Sequence, residues 1–164
     1  MTALLNPVPA PPEPVLGGWT LRPLTEPEVS QRTGRTYSAS RDGGGTAVVL
    51  RLHRVLHHPL RASYPFGAHD LAVNLVVPEP TRAGQEAAAR LLHALVPALF
   101  AADPYCRRVV AAPDEDDAAM QLTLETGGFH RIAEADLPDG SVVLFAAEPD
   151  GIAGLSTALD DMPH

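Results

Sequence analysis

Three consecutive segments constrain the fold more than anything else in the chain: "DLAVNLVV" at 70–77, "GQEAAARLLHALVPALFAAD" at 84–103 and "RRVVAA" at 107–112. The outer two are short apolar runs rich in β-branched residues and read as strands. The middle one places apolar side chains at 87, 88, 91, 92, 95, 99 and 100, the spacing of one helical face. A strand, a helix and a strand in that order bury the helix on a sheet, so the expected fold is mixed α/β with a helical crossover. Pro97 falls inside the helical pattern, where it should kink the helix or tighten its last turn.

The remaining punctuation extends this frame. "WTLRPL" (19–24) reads as a first strand closed by Pro23, "TYSAS" as a strand candidate ahead of the turn "RDGGG", and "TAVVLRLHRVL" (46–56) as a long strand. "EPEVSQRTGR" supports no more than a weak helical turn, and "HHPLRASYPFGAH" reads as a loop. "PDEDDAAMQLTLETGG" is a second helix, opened by acidic residues that suit a positive N-terminal end and stopped by glycines. "HRIAEADL" and "SVVLFAAE" pair as strands across the turn "PDG", which Asp136 and Asp139 serve. The expected boundaries are a disordered Pro-rich leader at 1–17, a single domain at 18–149 and a flexible tail at 150–164.

Composition narrows the function classes. A chain of 164 residues suffices for one well-buried core. It contains no apolar run of about 18 residues that would cross a membrane. Its first residues lack the basic flank of a signal peptide, so a cytoplasmic location is expected. The net charge of −8 argues against general nucleic-acid binding, which needs a basic face. A single cysteine, Cys106, excludes an internal disulfide and reads as a buried or edge thiol rather than a nucleophile. Every basic side chain is arginine; with abundant Ala and Pro this points to a GC-rich genome, such as an actinobacterium's. His53 and His57 in "HRVLHH" stand four apart, a metal-ligand spacing only on a helix; the segment reads as strand, and no metal site is expected.

"LFAADPYCRRVVAAPDEDDAAMQLTLETGGFHRIAEADLPDG" (99–140) resembles the GCN5-related N-acetyltransferase (GNAT) superfamily, nearest to its siderophore-type branch, whose members acylate hydroxylysine-like amines. The likeness runs without a gap from Leu91 to about Phe145. It includes the Leu-Phe helix end, the Asp-Pro turn, the Arg-Val-Val strand, Pro113-Asp114 and the Gly128-Phe129 helix terminus. The resemblance implies the mixed central sheet of that fold, with reduced N-terminal helices, because too few residues follow the first strand for the branch's usual two. It also implies acetyl-CoA or another acyl-CoA as co-substrate and a small-molecule amine as acceptor, in siderophore or other secondary metabolism. A homodimer or a partner biosynthetic enzyme would complete the assembly.

Site residues follow by the same resemblance. The diphosphate-binding loop, Gln/Arg-x-x-Gly-x-Gly/Ala in the family, falls on Ala83–Ala88, so Arg82, Gly84, Gln85, Ala87 and Ala88 are the candidate cofactor contacts, with Val76, Val77 and Asp117. Two loop positions depart from the pattern: Ala83 replaces Gln or Arg, and Glu86 replaces a glycine. At about 5 Å and an effective dielectric near 20, a carboxylate would repel a phosphate charge by roughly 3 kcal/mol. Alternatively Glu86 serves the helix N-terminus, and Arg82 or Arg90 could tie it up.

The catalytic positions depart as well. The family's base, a histidine in the fourth strand, corresponds to Asn74, an amide unable to take a proton at neutral pH. Asp114 is retained, the family asparagine is Asp117, and the aromatic residue often found at the helix end is Leu124. His69, with Asp114 as partner, is the candidate substitute base. Two readings stay open: an acyl-CoA-dependent N-acyltransferase, and a catalytically degenerate relative kept as a binding or assembly module. A weaker third has His69, Cys106 or Asp114 in different chemistry.

Overall fold

The computed structural model describes residues 9–25, 34–78 and 81–149. Seven strands and two α-helices follow in the order β1 (Trp19–Pro23), β2 (Gly34–Arg41), β3 (Val48–Arg54), β4 (Leu71–Val76), α1 (Arg82–Ala102), β5 (Val109–Ala111), α2 (Ala118–Thr126), β6 (His130–Leu137) and β7 (Gly140–Ala147). One sheet takes them all, in the order β1-β2-β3-β4-β5-β7-β6. Only β4 and β5 run parallel; α1 is the crossover between them, as the opening segments demand.

The core divides by strand alternation. On β3, Val48, Leu50 and Leu52 turn to the helix-covered face, while Val49, Arg51 and His53 take the other. Leu91, Leu92, Leu95 and Leu99 of α1 pack there with Leu71, Val73 and Leu75 of β4 and with Phe145 of β7. A second cluster, Val55, Leu60, Ala72, Val110, Val142, Leu144 and Ala146, lies on the opposite face, with Tyr64 and Phe66 packed against it. β7 supplies both clusters in turn, which is why its inner residues are apolar without alternation.

Both helices end for visible reasons. Thr81 caps α1, its hydroxyl accepting from the Gly84 amide at 3.1 Å, and the helix runs through Pro97 to Ala102. Asp117 caps α2 by accepting from the Met120 amide at 3.0 Å. Gly128, at φ +98°, closes α2 in the left-handed conformation. Gly127 packs so closely on α1 that an added Cβ would lie 2.7 Å from Cδ1 of Leu92.

Two local expectations change. β3 stops at Arg54, and the apolar residues after it wind into two 3-10 turns, Val55–His57 and Pro59–Ala62. The Val55 amide turns to the carbonyl of Asp70, so pairing cannot continue. The second half of the expected disordered leader lies on the protein: Pro11, Pro14 and Leu16 are buried, and Arg35 Nε donates to the Pro11 carbonyl at 2.6 Å. Residues 1–8, most of the weak turn expected at 26–35, and the tail from 150 lie outside the described residues.

Arg54 joins four parts of the chain. Its guanidinium, 2 % exposed, donates to Asp103 Oδ2 at 2.6 Å, to the His69 carbonyl at 2.7 Å and to the Pro9 carbonyl at 3.0 Å. A buried charge with its partner removed is far worse than no charge, by about 3–5 kcal/mol. Arg54→Ala should therefore lower stability by about that amount in urea denaturation, whereas an Arg54→Met, Asp103→Leu double variant should recover much of the loss.

Candidate active site

The crossover strands part almost as soon as they meet. β4 pairs with β5 only at Leu71↔Val109 and Ala72↔Val110. Past Ala72, β4 stays bonded to β3 as far as Val49↔Val76, so one edge is held while the other opens. In such an antiparallel pair alternate residues turn their N–H and C=O away from the partner, here into the gap. Pro113, just after β5, can donate nothing back.

Three cavities follow one another through this gap. A groove of about 270 Å³ runs along the end of β4 and between the helices, lined by Leu75, Val76, Val77, Gln85, Asp117, Ala119, Met120 and Thr123. It shares Leu75 and Met120 with a narrow space of about 30 Å³ between the strands, bounded also by Asn74, Ala111, Pro113 and Leu124. That space shares Val73, Asn74 and Ala112 with a third cavity of about 40 Å³ on the opposite face, where His53, His58, Leu60 and Ala72 stand. Adjacent cavities thus line the gap from the helix side to the histidine side of the sheet. A larger cavity, about 420 Å³, lies elsewhere, between Glu13, the end of β1 and the start of β2.

At the mouth of the groove is the N-terminus of α1. The helix begins at Arg82, one residue before the expected loop, and the Gln85 amide already bonds to the Thr81 carbonyl. Of the first amides, Gly84's is taken by Thr81, which leaves those of Arg82 and Ala83 to a ligand. Ala87 is half-buried and Ala88 fully buried in the core, with their amides inside the helical ladder. Glu86 does not enter the groove; its carboxylate meets Arg82 Nε at 3.2 Å on the surface, with the side chains 56 % and 92 % exposed respectively. At that exposure, with a dielectric near water's, the repulsion of a charge about 5 Å away falls to roughly 0.8 kcal/mol.

The expected catalytic residues are dispersed. Asn74 is exposed on the histidine face, with Arg51 directly across from it on β3. Asp114 is exposed beyond β5, in an isolated bridge to Val142, and its carbonyl accepts from the Gln121 side chain. His69 lies before the closed end of β4, separated from Asn74 by the paired residues Leu71 and Ala72. Its ring stacks near Tyr105, and its Nδ1, buried without a hydrogen-bond partner, is 3.8 Å from Asp103 Oδ2. The structure therefore does not bring His69 to Asn74 or Asp114. Asp136 serves its hairpin, accepting from Ser141 Oγ at 2.5 Å.

His53, near the end of β3, and His58, just after it, are the imidazoles that line the third cavity. Their rings are tilted with centroids 6.0 Å apart. Burial, and secondly the nearby His53, hold His58 below the usual imidazole range. His57 is exposed on a 3-10 turn and stays apart from them. Strand periodicity could have found His53, since it shares the face of Arg51; only the pairing register brings that face to Asn74.

The sequence profile described as "Acetyltransferase (GNAT) domain" matches residues 25–137. The chain belongs to the GNAT acetyltransferase family. Among curated relatives, the lysine N-acyltransferase MbtK of Mycobacterium sp. (strain MCS) is 26% identical over 173 residues, covering 85% of this chain and 71% of that protein. An aminoglycoside-modifying relative, AAC(6')-Ib in complex with paromomycin and acetyl-CoA, is 18% identical with a TM-score of 0.64, over 76% of this chain and 70% of the other. An uncharacterized protein from Bacillus halodurans is 24% identical with a TM-score of 0.63 over 71% of this chain, and the chain spans 59% of its length. At these identities the two structures speak to the fold alone. Within that GNAT fold the α1 N-terminus stands beside the groove that leads to the parted β4 and β5.

Cys106 can be set aside as a nucleophile. It is 2 % exposed, its Sγ donates to the Arg108 carbonyl, and burial pushes its thiol up to about 12. Asp70 and Asp103 add to that rise, outweighing Arg54. Alkylation by iodoacetamide at pH 8 should accordingly proceed far more slowly in the native chain than in urea, by about 100-fold or more; comparable rates would show an accessible thiolate.

Proposed function

We propose that this chain is an acyl-CoA-dependent N-acyltransferase acting on a small amine. The observation that carries this reading is the early parting of β4 from β5, with the α1 N-terminus and a groove on one side of the gap and a histidine-lined cavity on the other. Each part of this arrangement suits one part of acyl-CoA. The Arg82 and Ala83 amides, the Arg82 guanidinium and Gln85 would hold the diphosphate at the positive end of the helix. Val76, Val77, Met120 and Thr123 offer a mostly apolar channel for the pantetheine arm. Unpaired backbone N–H groups of β4 beyond Ala72 point where a thioester oxygen gains charge as the amine attacks. Acyl-CoA would supply the activated carbonyl; the chain would supply alignment and charge stabilisation.

Similarity to a lysine N-acyltransferase supports a lysine-like or N-hydroxylated acceptor and a place in siderophore or related secondary metabolism. Asn74 favours a second reading, a degenerate relative that binds partners or acyl-CoA without turnover, because an amide cannot serve as base. Isothermal calorimetry with acetyl-CoA separates these from a chain that has lost the ligand. Saturable binding tighter than about 1 mM is expected, and none at that concentration refutes the acyltransferase reading. Because Glu86 is exposed and paired to Arg82, Glu86→Gln should tighten acetyl-CoA by no more than about fourfold at low salt. Arg82→Ala should weaken it several-fold.

A further inference from the structure

Removing a proton from the acceptor requires a basic atom on the far side of the gap, and β3 places one there. We propose that His53 is the catalytic base of acyl transfer, with His58 beside it as a fixed hydrogen-bond donor to the acceptor. This inference rests on the acyltransferase reading above.

The register sets the distance. β3 and β4 pair His53 with Ala72 and Arg51 with Asn74, so His53 stands diagonal to Asn74 on the same face. Diagonal neighbours of an antiparallel pair are about 7–8 Å apart at Cα, within reach of one reacting centre directly or through a single water. Both side chains line the small cavity that opens from the gap. The base has in effect moved one strand over, from the position Asn74 holds.

Gly34 fits this role. It pairs with His53 across β2 and β3, and a Cβ there would overlap both Cε1 and Nδ1 of the ring. Unlike Gly128, it does not need the left-handed region; the missing side chain makes room for the imidazole to lie back over β2. The two histidines also divide the work. His58 Nδ1 accepts from the Leu60 amide at 3.1 Å, so its proton is on Nε2, and that nitrogen can only donate. The role of base then falls to His53, on the evidence of its register and its place in the cavity. Among the described residues, Arg51 on the same face of β3 and His58 are charged or titratable groups near it; β2 presents Gly34, β4 presents Ala72 and Asn74, and the end of β5 presents Ala112.

In the reaction, the His53 imidazole takes one proton from the ammonium of the acceptor. The freed amine attacks the thioester carbon, forming the C–N bond and a tetrahedral oxyanion. That intermediate collapses with cleavage of the C–S bond, and the nitrogen's second proton goes to the departing thiolate to give CoA–SH. His53 then returns its proton to solvent, so the transfer nets one amide, one thiol and one proton.

The test uses the full chain, acetyl-CoA and a panel of primary and N-hydroxylated alkylamines including lysine. CoA release is followed with a thiol reagent, and acetyl-CoA binding by calorimetry. His53→Gln should lower kcat by about 100-fold or more, remove the acidic limb of the kcat/KM profile and leave acetyl-CoA affinity within about twofold. His58→Gln should raise KM for the amine more than it lowers kcat. Gly34→Ala, which displaces the ring without changing it, should reproduce the His53→Gln loss. A His53→Gln chain that keeps its turnover within threefold and its acidic limb overturns the proposal but leaves the acyltransferase reading intact. A wild-type chain that binds acetyl-CoA yet acylates no amine in the panel overturns both.

Discussion

Two residue pairs are all that join β4 to β5, and the site depends on how little that is. A backbone amide left buried and unbonded costs about 1–3 kcal/mol, so a sheet does not open in its middle without support. Support comes from both sides here. β3 holds the free length of β4, β7 holds β5 along all three of its residues, and Met120 and Leu124 of α2 fill the space beneath. The unpaired groups that result are the polar lining of an otherwise apolar passage. Fold and chemistry meet in one defect: the break in pairing that weakens the sheet is also where the cavities gather.

The departures from the family pattern look different once placed in space. Glu86 stands where a glycine is expected, but its carboxylate pairs with Arg82 and lines a neighbouring cavity between α1 and α2 rather than the groove itself. Asn74 is a loss that remains a loss, since nothing in its position makes an amide basic. Around it, however, the face of β3 offers an imidazole with a glycine cut away to receive it. Glu86 is thus held to one side by its arginine, and Asn74 has an imidazole two residues off in register.

The legible parts of the fold were those with a strong period or a strong stop. β6 and β7 follow from alternating and apolar runs across "PDG", and α1 from its leucine face; both emerge with ends within a residue or two of the reading. β3 was overextended because Val55 and Leu56 continue its apolar run, while the event that ends it is a long-range hydrogen bond to Asp70. The packed half of the leader was illegible for a similar reason. Proline-rich composition speaks of extension, but what holds Pro9–Leu16 is arginine side chains from β2 and β3 reaching its carbonyls. Of the site, the motif positions could be counted off in sequence, whereas His53 and His58 became visible only through strand pairing and cavity lining.

Arg54 gives the molecule an unusual dependence on its leading segment. By gathering the carbonyls of Pro9, Ala10 and His69 with the carboxylate of Asp103, one guanidinium fastens the front of the chain to the end of the crossover helix. Trimming the polypeptide back to the first strand would look harmless on a secondary-structure diagram, yet it would strip two acceptors from an ion with no solvent to replace them. The seemingly dispensable front is thus part of the domain's electrostatic insulation.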